Sequence, residues 1–129
     1  MRAAFRFLVL FSALLATSPL LSSDRVALVI GIEDYEHAPE LKNPANDASS
    51  IAVLLSDIGF ELTTSPGGKP TWINPTTDEF YEALEKFSEK TRGASVGLFY
   101  FAGHGVEVDG ENYLLPSDSV LEQRSQLRS

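Results

Sequence analysis

The sequence of 129 residues contains no cysteine. This absence excludes disulfide bonds, thiolate metal sites, lipoprotein acylation and a cysteine nucleophile within these residues. Basic residues are also scarce, because 10 lysines and arginines stand against 18 aspartates and glutamates, which gives a net charge of −8. This acidic balance argues against nucleic acid and anionic membranes as partners. The chain has no obvious internal repeat, so it holds at most one domain.

Long hydrophobic runs are absent except near the amino terminus. There, two arginines precede an apolar run at residues 7–16, which is too short to cross a bilayer comfortably as a helix. We therefore expect residues 1–23 to be an export signal peptide. Residues 24–129 are then one acidic domain, exported to the periplasm or outside the cell without a stable membrane anchor. The alternative is an uncleaved anchor that extends to Leu21.

The first predicted strand and helix follow this segment. Residues 25–31 are rich in β-branched side chains and end in glycine, as in a buried strand. Asn46 is the expected N-cap of the next helix, with Asp47 in its first turn, where a carboxylate interacts favourably with the helix dipole. We expect this helix to end near Gly59. Its predicted apolar stripe consists of Ile51, Leu54, Leu55 and Ile58.

A second strand and helix are predicted further along the chain. Residues 60–64 are typical of a short strand, and residues 65–74 form a predicted loop in which Trp72 has no assigned role. Thr76 and Glu79 have the spacing of a capping box at the start of a helix. The predicted apolar face of that helix consists of Phe80, Leu84 and Phe87.

An uncharged and largely apolar run occupies residues 96–102. Its composition predicts a strand that is buried on both faces, as in a parallel sheet. The run ends at Gly103, and His104 follows with Gly105 behind it. Because functional groups in open α/β sheets lie just past the carboxyl ends of strands, His104 is a candidate site residue. The alternative is a tight turn whose histidine is merely solvated.

Residues 106–114 are expected to form a β-hairpin with a turn at Asp109 and Gly110. The elements before it alternate as strand, helix, strand, helix and strand. This order predicts the α/β class, with a parallel sheet, helices on its faces and right-handed crossovers. Three strands are few for such a sheet.

Several short segments occur in the order and at the spacing of one known family. They are Arg-Val-Ala-Leu-Val-Ile-Gly at 25–31, Tyr35, Leu-Lys-Asn-Pro-Ala-Asn-Asp-Ala at 41–48, Ile-Gly-Phe at 58–60, Phe-Tyr-Phe-Ala-Gly-His-Gly at 99–105 and Gly-Glu-Asn-Tyr-Leu-Leu-Pro-Ser-Asp at 110–118. Together they resemble the caspase-like cysteine peptidases, especially their bacterial and metacaspase branches. The last two segments resemble the region around that family's catalytic histidine.

The resemblance implies an α/β fold of three layers with a mostly parallel central sheet. The fold would be incomplete here, with about three core strands, two to three helices and a hairpin. In that family the nucleophilic cysteine lies at the end of the next strand, after a linking helix, and residues 121–129 resemble only the start of that linker. Since no serine lies in a nucleophile-elbow pattern, nothing visibly replaces the cysteine. The resemblance therefore covers the amino-terminal part of a catalytic domain.

The family hydrolyses peptide bonds through a Cys–His dyad and an acyl-enzyme. By the resemblance, His104 is the general base or acid, and Gly105 occupies the position whose backbone N–H helps to hold the oxyanion. Asp47 matches an acid that lines the pocket for a basic P1 side chain in metacaspase-like members. The alternative for Asp47 is an ordinary residue of a first helical turn. The implied partner is a polypeptide substrate, no cofactor is implied, and dependence on calcium is left open.

Three functions remain open at this point. The first is a caspase-like cysteine endopeptidase, represented by its histidine-bearing part and expected to be inactive alone. The second is a catalytically dead pseudo-peptidase that binds peptides or a partner. The third is an unrelated α/β binding domain that shares only the arrangement of a strand followed by Gly-His-Gly.

Overall fold

A computed structural model describes residues 23–120 of the chain. Both the expected export signal, apart from its last residue, and the linker-like segment at 121–129 lie outside the described residues. Neither described helix has the length and apolar character that crossing a bilayer would require. The elements in chain order are β1 (Arg25–Gly31), α1 (Pro44–Asp57), β2 (Glu61–Leu62), β3 (Trp72–Ile73), α2 (Thr77–Thr91), β4 (Val96–Ala102), β5 (Gly105–Val108) and β6 (Glu111–Leu114).

Strand β1 is the centre of a parallel four-stranded sheet. β4 pairs with β1 along its whole length, from Arg25 opposite Val96 to Gly31 opposite Ala102. The two-residue strands β2 and β3 pair in parallel with the start and the end of β1. Because β4 occupies one edge of β1 completely, β2 and β3 share the other edge. The predicted α/β class with a parallel sheet is confirmed.

The helices lie on opposite faces of this sheet, which makes three layers. Successive side chains of a strand point to opposite faces, so β1 contributes to both cores. The core on the α2 face consists of Leu28, Ile30, Ile32, Trp72, Phe80 and Ala83. The core on the α1 face consists of Ala27, Val29, Ala48, Ala52 and Leu55. This architecture confirms an incomplete caspase-like fold.

Strand β3 lies within the segment that was predicted to be a loop. Two residues are too few to show an alternating pattern, so the sequence carries no signal for this strand. Trp72 is buried in the core, and its indole N–H donates a hydrogen bond to the backbone carbonyl of Thr63 at 2.9 Å. The tryptophan without an assigned role is therefore a core residue that closes the sheet beside the end of β1.

The prediction that β4 is buried on both faces is wrong for the described residues. Val96 is 42% exposed and Phe99 is 40% exposed, whereas β1 is buried from Val26 onward. Within residues 23–120, β4 pairs with β1 alone and so forms an edge of the sheet. An apolar composition shows that a strand can be buried, but its position in the sheet decides whether it is.

Helix α1 begins earlier than expected. Its N-cap is Asn43 and its first residue is Pro44, so Asn46 lies inside the first turn and is not the cap. Proline suits the first helical position because its φ is already helical and its missing N–H would have no partner there. Asp47 lies in the first turn, as predicted, and the helix ends at Asp57, close to the predicted position.

The buried face of α1 also differs from the predicted stripe. Leu54 and Ile58 are 55% and 51% exposed, while the small residues Ala48 and Ala52 face the sheet. The helix approaches β1 so closely that a Cβ on Gly31 would lie 2.5 Å from the Pro44 carbonyl oxygen. Small side chains permit this distance, and larger ones would not.

The capping box and the hairpin are both confirmed. The Thr76 backbone N–H donates to the Glu79 carboxylate at 2.9 Å, and the Thr76 hydroxyl accepts from the Glu79 backbone N–H. Strands β5 and β6 pair in antiparallel fashion around Asp109 and Gly110, whose φ values are 54° and 82°. Two positive φ values define the type I′ turn, whose twist matches that of the strands.

Candidate active site

His104 lies at the carboxyl edge of the parallel sheet. It follows Gly103 in the short connection between β4 and β5. The loop of residues 32–43 leaves β1 at the same edge, because β1 and β4 run in parallel with Gly31 opposite Ala102. α1 begins where this loop ends, so the first turn of α1 also lies near this edge. Ligand sites of open α/β sheets occupy this position.

Two residues of the 32–43 loop hold His104. The backbone N–H of His104 donates to the Tyr35 hydroxyl oxygen at 2.7 Å. The Tyr35 and His104 rings are tilted by 53° with centroids 4.7 Å apart. On the other side, Nε2 of His104 lies 2.8 Å from the backbone carbonyl oxygen of Pro39.

The Pro39 contact determines which imidazole nitrogen can act as a base. A carbonyl oxygen can only accept a hydrogen bond, so Nε2 must carry the proton. In the neutral ring the lone pair is then on Nδ1. His104 is therefore a proton acceptor at Nδ1, with its second nitrogen bound to the protein backbone.

The glycines around His104 allow close approach. A Cβ on Gly103 would lie 2.6 Å from the Tyr35 hydroxyl oxygen, which no side chain tolerates without movement. A Cβ on Gly105 would lie 3.3 Å from the Tyr113 carbonyl oxygen, a tight but smaller conflict. Gly105 is exposed at the start of β5, and the backbone carbonyl of His104 accepts the N–H of Leu115 at 3.1 Å.

Tyr35 remains a neutral phenol at physiological pH. Burial raises the pKa of Tyr35 above its ordinary value of 10.0, and the hydrogen bond from the His104 backbone opposes this effect to a smaller extent. A neutral hydroxyl oxygen can accept the His104 N–H without placing a charge beside the imidazole.

Asn74 anchors the 32–43 loop where it leaves β1. Its side-chain oxygen accepts the backbone N–H groups of Glu33 at 2.8 Å and Asp34 at 3.1 Å, and its amide donates to the Asp34 carboxylate at 3.0 Å. Asn74 itself has a φ of 51°, a left-handed conformation that asparagine tolerates better than most residues. Further along the loop, the N–H of Glu36 donates to the Ser117 carbonyl oxygen at 2.9 Å.

Asp47 is exposed in the first turn of α1. Among residues 23–120 no basic side chain forms an ion pair with it. Its carboxylate is therefore available to solvent near the carboxyl edge of the sheet. No group of three or more His, Asp or Glu side chains in the described part of the chain could hold a metal ion.

Sequence reasoning singled out His104, Gly105 and Asp47 but missed the residues that hold the histidine. Pro39 acts through a backbone carbonyl, which every residue possesses, so it carried no signal. Tyr35 was recognised only as part of the family resemblance. Asn74 had a weak signal, since asparagine tolerates positive φ and often binds nearby backbone groups.

The fold and the site together define a class of protein. Its members are three-layer α/β domains with an imidazole that a backbone carbonyl holds at the carboxyl edge of the parallel sheet. A family model described as Caspase domain matches residues 24–127. The chain is 32% identical over 110 residues to human mucosa-associated lymphoid tissue lymphoma translocation protein 1 and 31% identical to the mouse homolog. The chain therefore belongs to the caspase-like family of cysteine peptidases. These matches cover 85% of this chain but span only 12% of the length of each relative.

Proposed function

We propose that this chain supplies the histidine part of a cysteine endopeptidase site that works through a Cys–His dyad. The observation that carries the proposal is the geometry of His104. Its Nε2–H is bound to the Pro39 carbonyl, which leaves Nδ1 as the only ring nitrogen able to accept a proton. Membership of the caspase-like family supports a thiol as the source of that proton.

The proposed reaction follows ordinary acyl transfer. Nδ1 of His104 takes the proton of a cysteine thiol, and the thiolate attacks the carbonyl carbon of a peptide bond. The C–N bond then breaks as the imidazolium returns the proton to the leaving amine. Water, deprotonated by the same nitrogen, hydrolyses the thioester and restores the thiol. A backbone N–H at Gly105, aimed at the developing oxyanion, would lower the barrier to both attacks.

The thiol has to come from outside these residues, since the 129-residue sequence contains no cysteine. The free edge of β4 supports this part of the proposal. Within residues 23–120, β4 pairs on one side only and ends immediately before Gly103 and His104. A further strand added there parallel to β4 would place its carboxyl end beside His104.

The proposal extends to the substrate, the cofactor requirement and the location of the domain. An exposed carboxylate at Asp47 fits a basic P1 side chain of a polypeptide substrate, because a carboxylate and a guanidinium form charge-assisted hydrogen bonds. The chemistry needs no cofactor. The amino-terminal charge and apolar pattern supports export of the domain to the periplasm or the extracellular space.

The first test is a peptidase assay. The 129-residue chain alone should not cleave fluorogenic arginyl, lysyl or aspartyl peptides. General acid–base catalysis without a nucleophile raises the reaction rate by only about 10²–10⁴-fold. The DNA downstream of the Ser129 codon should then be searched for a region that encodes a strand ending in cysteine. The joined polypeptide, in which that region is fused to the 129 residues, should be assayed in the same way. Its turnover should be lost on thiol alkylation and in His104→Ala, and retained in the control His37→Ala.

The same assay tests Asp47. In the joined polypeptide, Asp47→Ala should reduce kcat/KM for arginyl substrates and leave aspartyl substrates unaffected or improved. Equal losses on both would give Asp47 a structural role only. Turnover by the chain alone that resists alkylation would contradict the cysteine mechanism, and peptide binding without turnover by the joined polypeptide would favour a pseudo-peptidase.

A further inference from the structure

Tyr35 contacts His104 in two ways that act on different parts of the residue. Its hydroxyl oxygen accepts the backbone N–H of His104 at 2.7 Å, which fixes the peptide plane before the imidazole. Its ring lies against the imidazole with centroids 4.7 Å apart, which restricts rotation of the imidazole about its side-chain torsions. Both contacts come from one side chain, 69 residues distant in the chain.

The surrounding backbone is shaped to admit this hydroxyl. A Cβ at Gly103 would lie 2.6 Å from the Tyr35 oxygen and 2.7 Å from Cζ of Phe101. Any other residue at position 103 would therefore have to displace the Tyr35 hydroxyl or the Phe101 ring. The glycine before the histidine thus has a specific physical reason, which is the space that these two side chains occupy.

Tyr35 and Pro39 belong to the same loop and hold the imidazole at two points. Tyr35 fixes the backbone and one side of the ring, and the Pro39 carbonyl accepts the Nε2–H at 2.8 Å. A movement of the loop relative to β4 would change both contacts together. The Tyr35 hydroxyl joins this loop directly to the backbone of His104.

We infer that Tyr35 is a positioning residue for His104. Its hydroxyl ties the 32–43 loop to the histidine backbone, so that the Pro39 carbonyl keeps the proton on Nε2 and the lone pair on Nδ1. The inference rests on the proposed function only in giving Nδ1 a catalytic use. The hydrogen-bond geometry itself can be measured without a thiol, a substrate or turnover, so failure of this inference and failure of the peptidase proposal are distinguishable.

The test is NMR spectroscopy of the full 129-residue chain with ¹⁵N-labelled histidine. The chain has only two histidines, so the spectrum reports on His104 with His37 as an internal reference. His37 lies on the same loop with its side chain 50% exposed. In the parent protein we expect the neutral His104 ring to be the Nε2–H form, as read from the ¹⁵N chemical shifts of its two ring nitrogens, with nuclear Overhauser contacts to the Tyr35 ring.

Tyr35→Phe removes one oxygen atom and should speed exchange of the His104 backbone amide by about tenfold, the loss expected for one hydrogen bond. It should also increase the share of the His104 ring that carries its proton on Nδ1. The exposed His37 ring should exchange its protons rapidly in both proteins, so it serves as the reference for an imidazole that the protein does not hold. Gly103→Ala adds a methyl group beside the Tyr35 hydroxyl and should therefore have the same effect on His104. The matched control is Tyr81→Phe on α2, where the tyrosine is 63% exposed.

A merely structural role for Tyr35 would lower the melting temperature without changing the His104 ring. An unchanged ratio of the two ring tautomers of His104 in folded Tyr35→Phe would overturn the inference. If the variants do not fold, the parent protein still decides. The absence of contacts between the Tyr35 and His104 rings, or a neutral ring protonated at Nδ1, would overturn the inference without any substitution.

Discussion

The hydroxyl oxygen of Tyr35 and the edge of the Phe101 ring fill the space that a side chain at position 103 would need. The end of β1 has the same feature, because Gly31 leaves room for the Pro44 carbonyl of α1. At this edge of the sheet, glycines permit contacts that polar and backbone groups of other segments then make. The absence of side-chain bulk therefore contributes to the site as directly as the imidazole of His104 does.

The raised pKa of the Tyr35 hydroxyl predicts how the stability of the protein changes at high pH. The folded pKa of Tyr35 is raised above 10.0, so ionisation favours the unfolded chain and stability is lost as pH rises from 10 through the folded value. Urea unfolding of the parent and of Tyr35→Phe, measured at pH 8 and above pH 10, should show a smaller drop for the variant. Equal drops would mean that Tyr35 ionises equally well in both states.

At the scale of elements, the 32–43 loop connects the sheet to the candidate site. Asn74, at the end of β3, holds the start of this loop through three side-chain hydrogen bonds to Glu33 and Asp34. The Ser117 carbonyl, after the hairpin, holds its middle at Glu36. The residues that follow β3 and the hairpin therefore help to hold the loop, and with it Tyr35 and Pro39, in place.

Asn74→Gly should destabilise the protein by about 1–2 kcal/mol, because it removes these hydrogen bonds while glycine accepts the positive φ without strain. Asn74→Ala should lower the free energy of unfolding by about 1 kcal/mol more than Asn74→Gly does, since alanine is strained at positive φ. Urea unfolding measures both, and histidine NMR should show a larger share of the His104 ring with its proton on Nδ1. A neutral effect of Asn74→Gly would show that the side-chain bonds do not hold the loop.

At the scale of the whole molecule, the two edges of the sheet differ in how well they are covered. β2 and β3 cover one edge of β1, whereas β4 forms the opposite edge within residues 23–120. β4 carries no charged residue, and it exposes Phe99. Edges of this kind pair readily with other strands. The net charge of −8 opposes association, but salt screens charge repulsion beyond ~8 Å under physiological conditions.

We therefore expect purified residues 24–129 to self-associate at micromolar concentration through β4. Phe99→Lys should shift the protein towards monomer in sedimentation velocity, because a lysine on an edge strand discourages pairing. Val53→Lys, on the exposed face of α1, is the control and should not change the distribution. A monomer in the parent chain with a cooperative thermal transition would show that β4 does not act as an open edge.

The sequence by itself determined the features that residues close together in the chain can form without distant partners. Thr76 and Glu79 cap α2 because the two groups are three residues apart, and Asp109 and Gly110 form a type I′ turn because both tolerate positive φ. The β-branched run of β1 and the apolar face of α2 likewise follow from periodicity. These features and the parallel α/β class were predicted from the sequence and are confirmed.

Tertiary structure alone decided which surfaces meet. The exposure of Leu54 and Ile58 depends on how closely α1 approaches Gly31, and the exposure of Phe99 depends on what lies beside β4. The Pro39 carbonyl reaches His104 across 65 residues of chain, although a carbonyl has the same chemistry at every position. Periodicity reports which residues can be buried or bonded. Only the packing of distant segments determines which of them are, because that choice depends on distances that no local pattern contains.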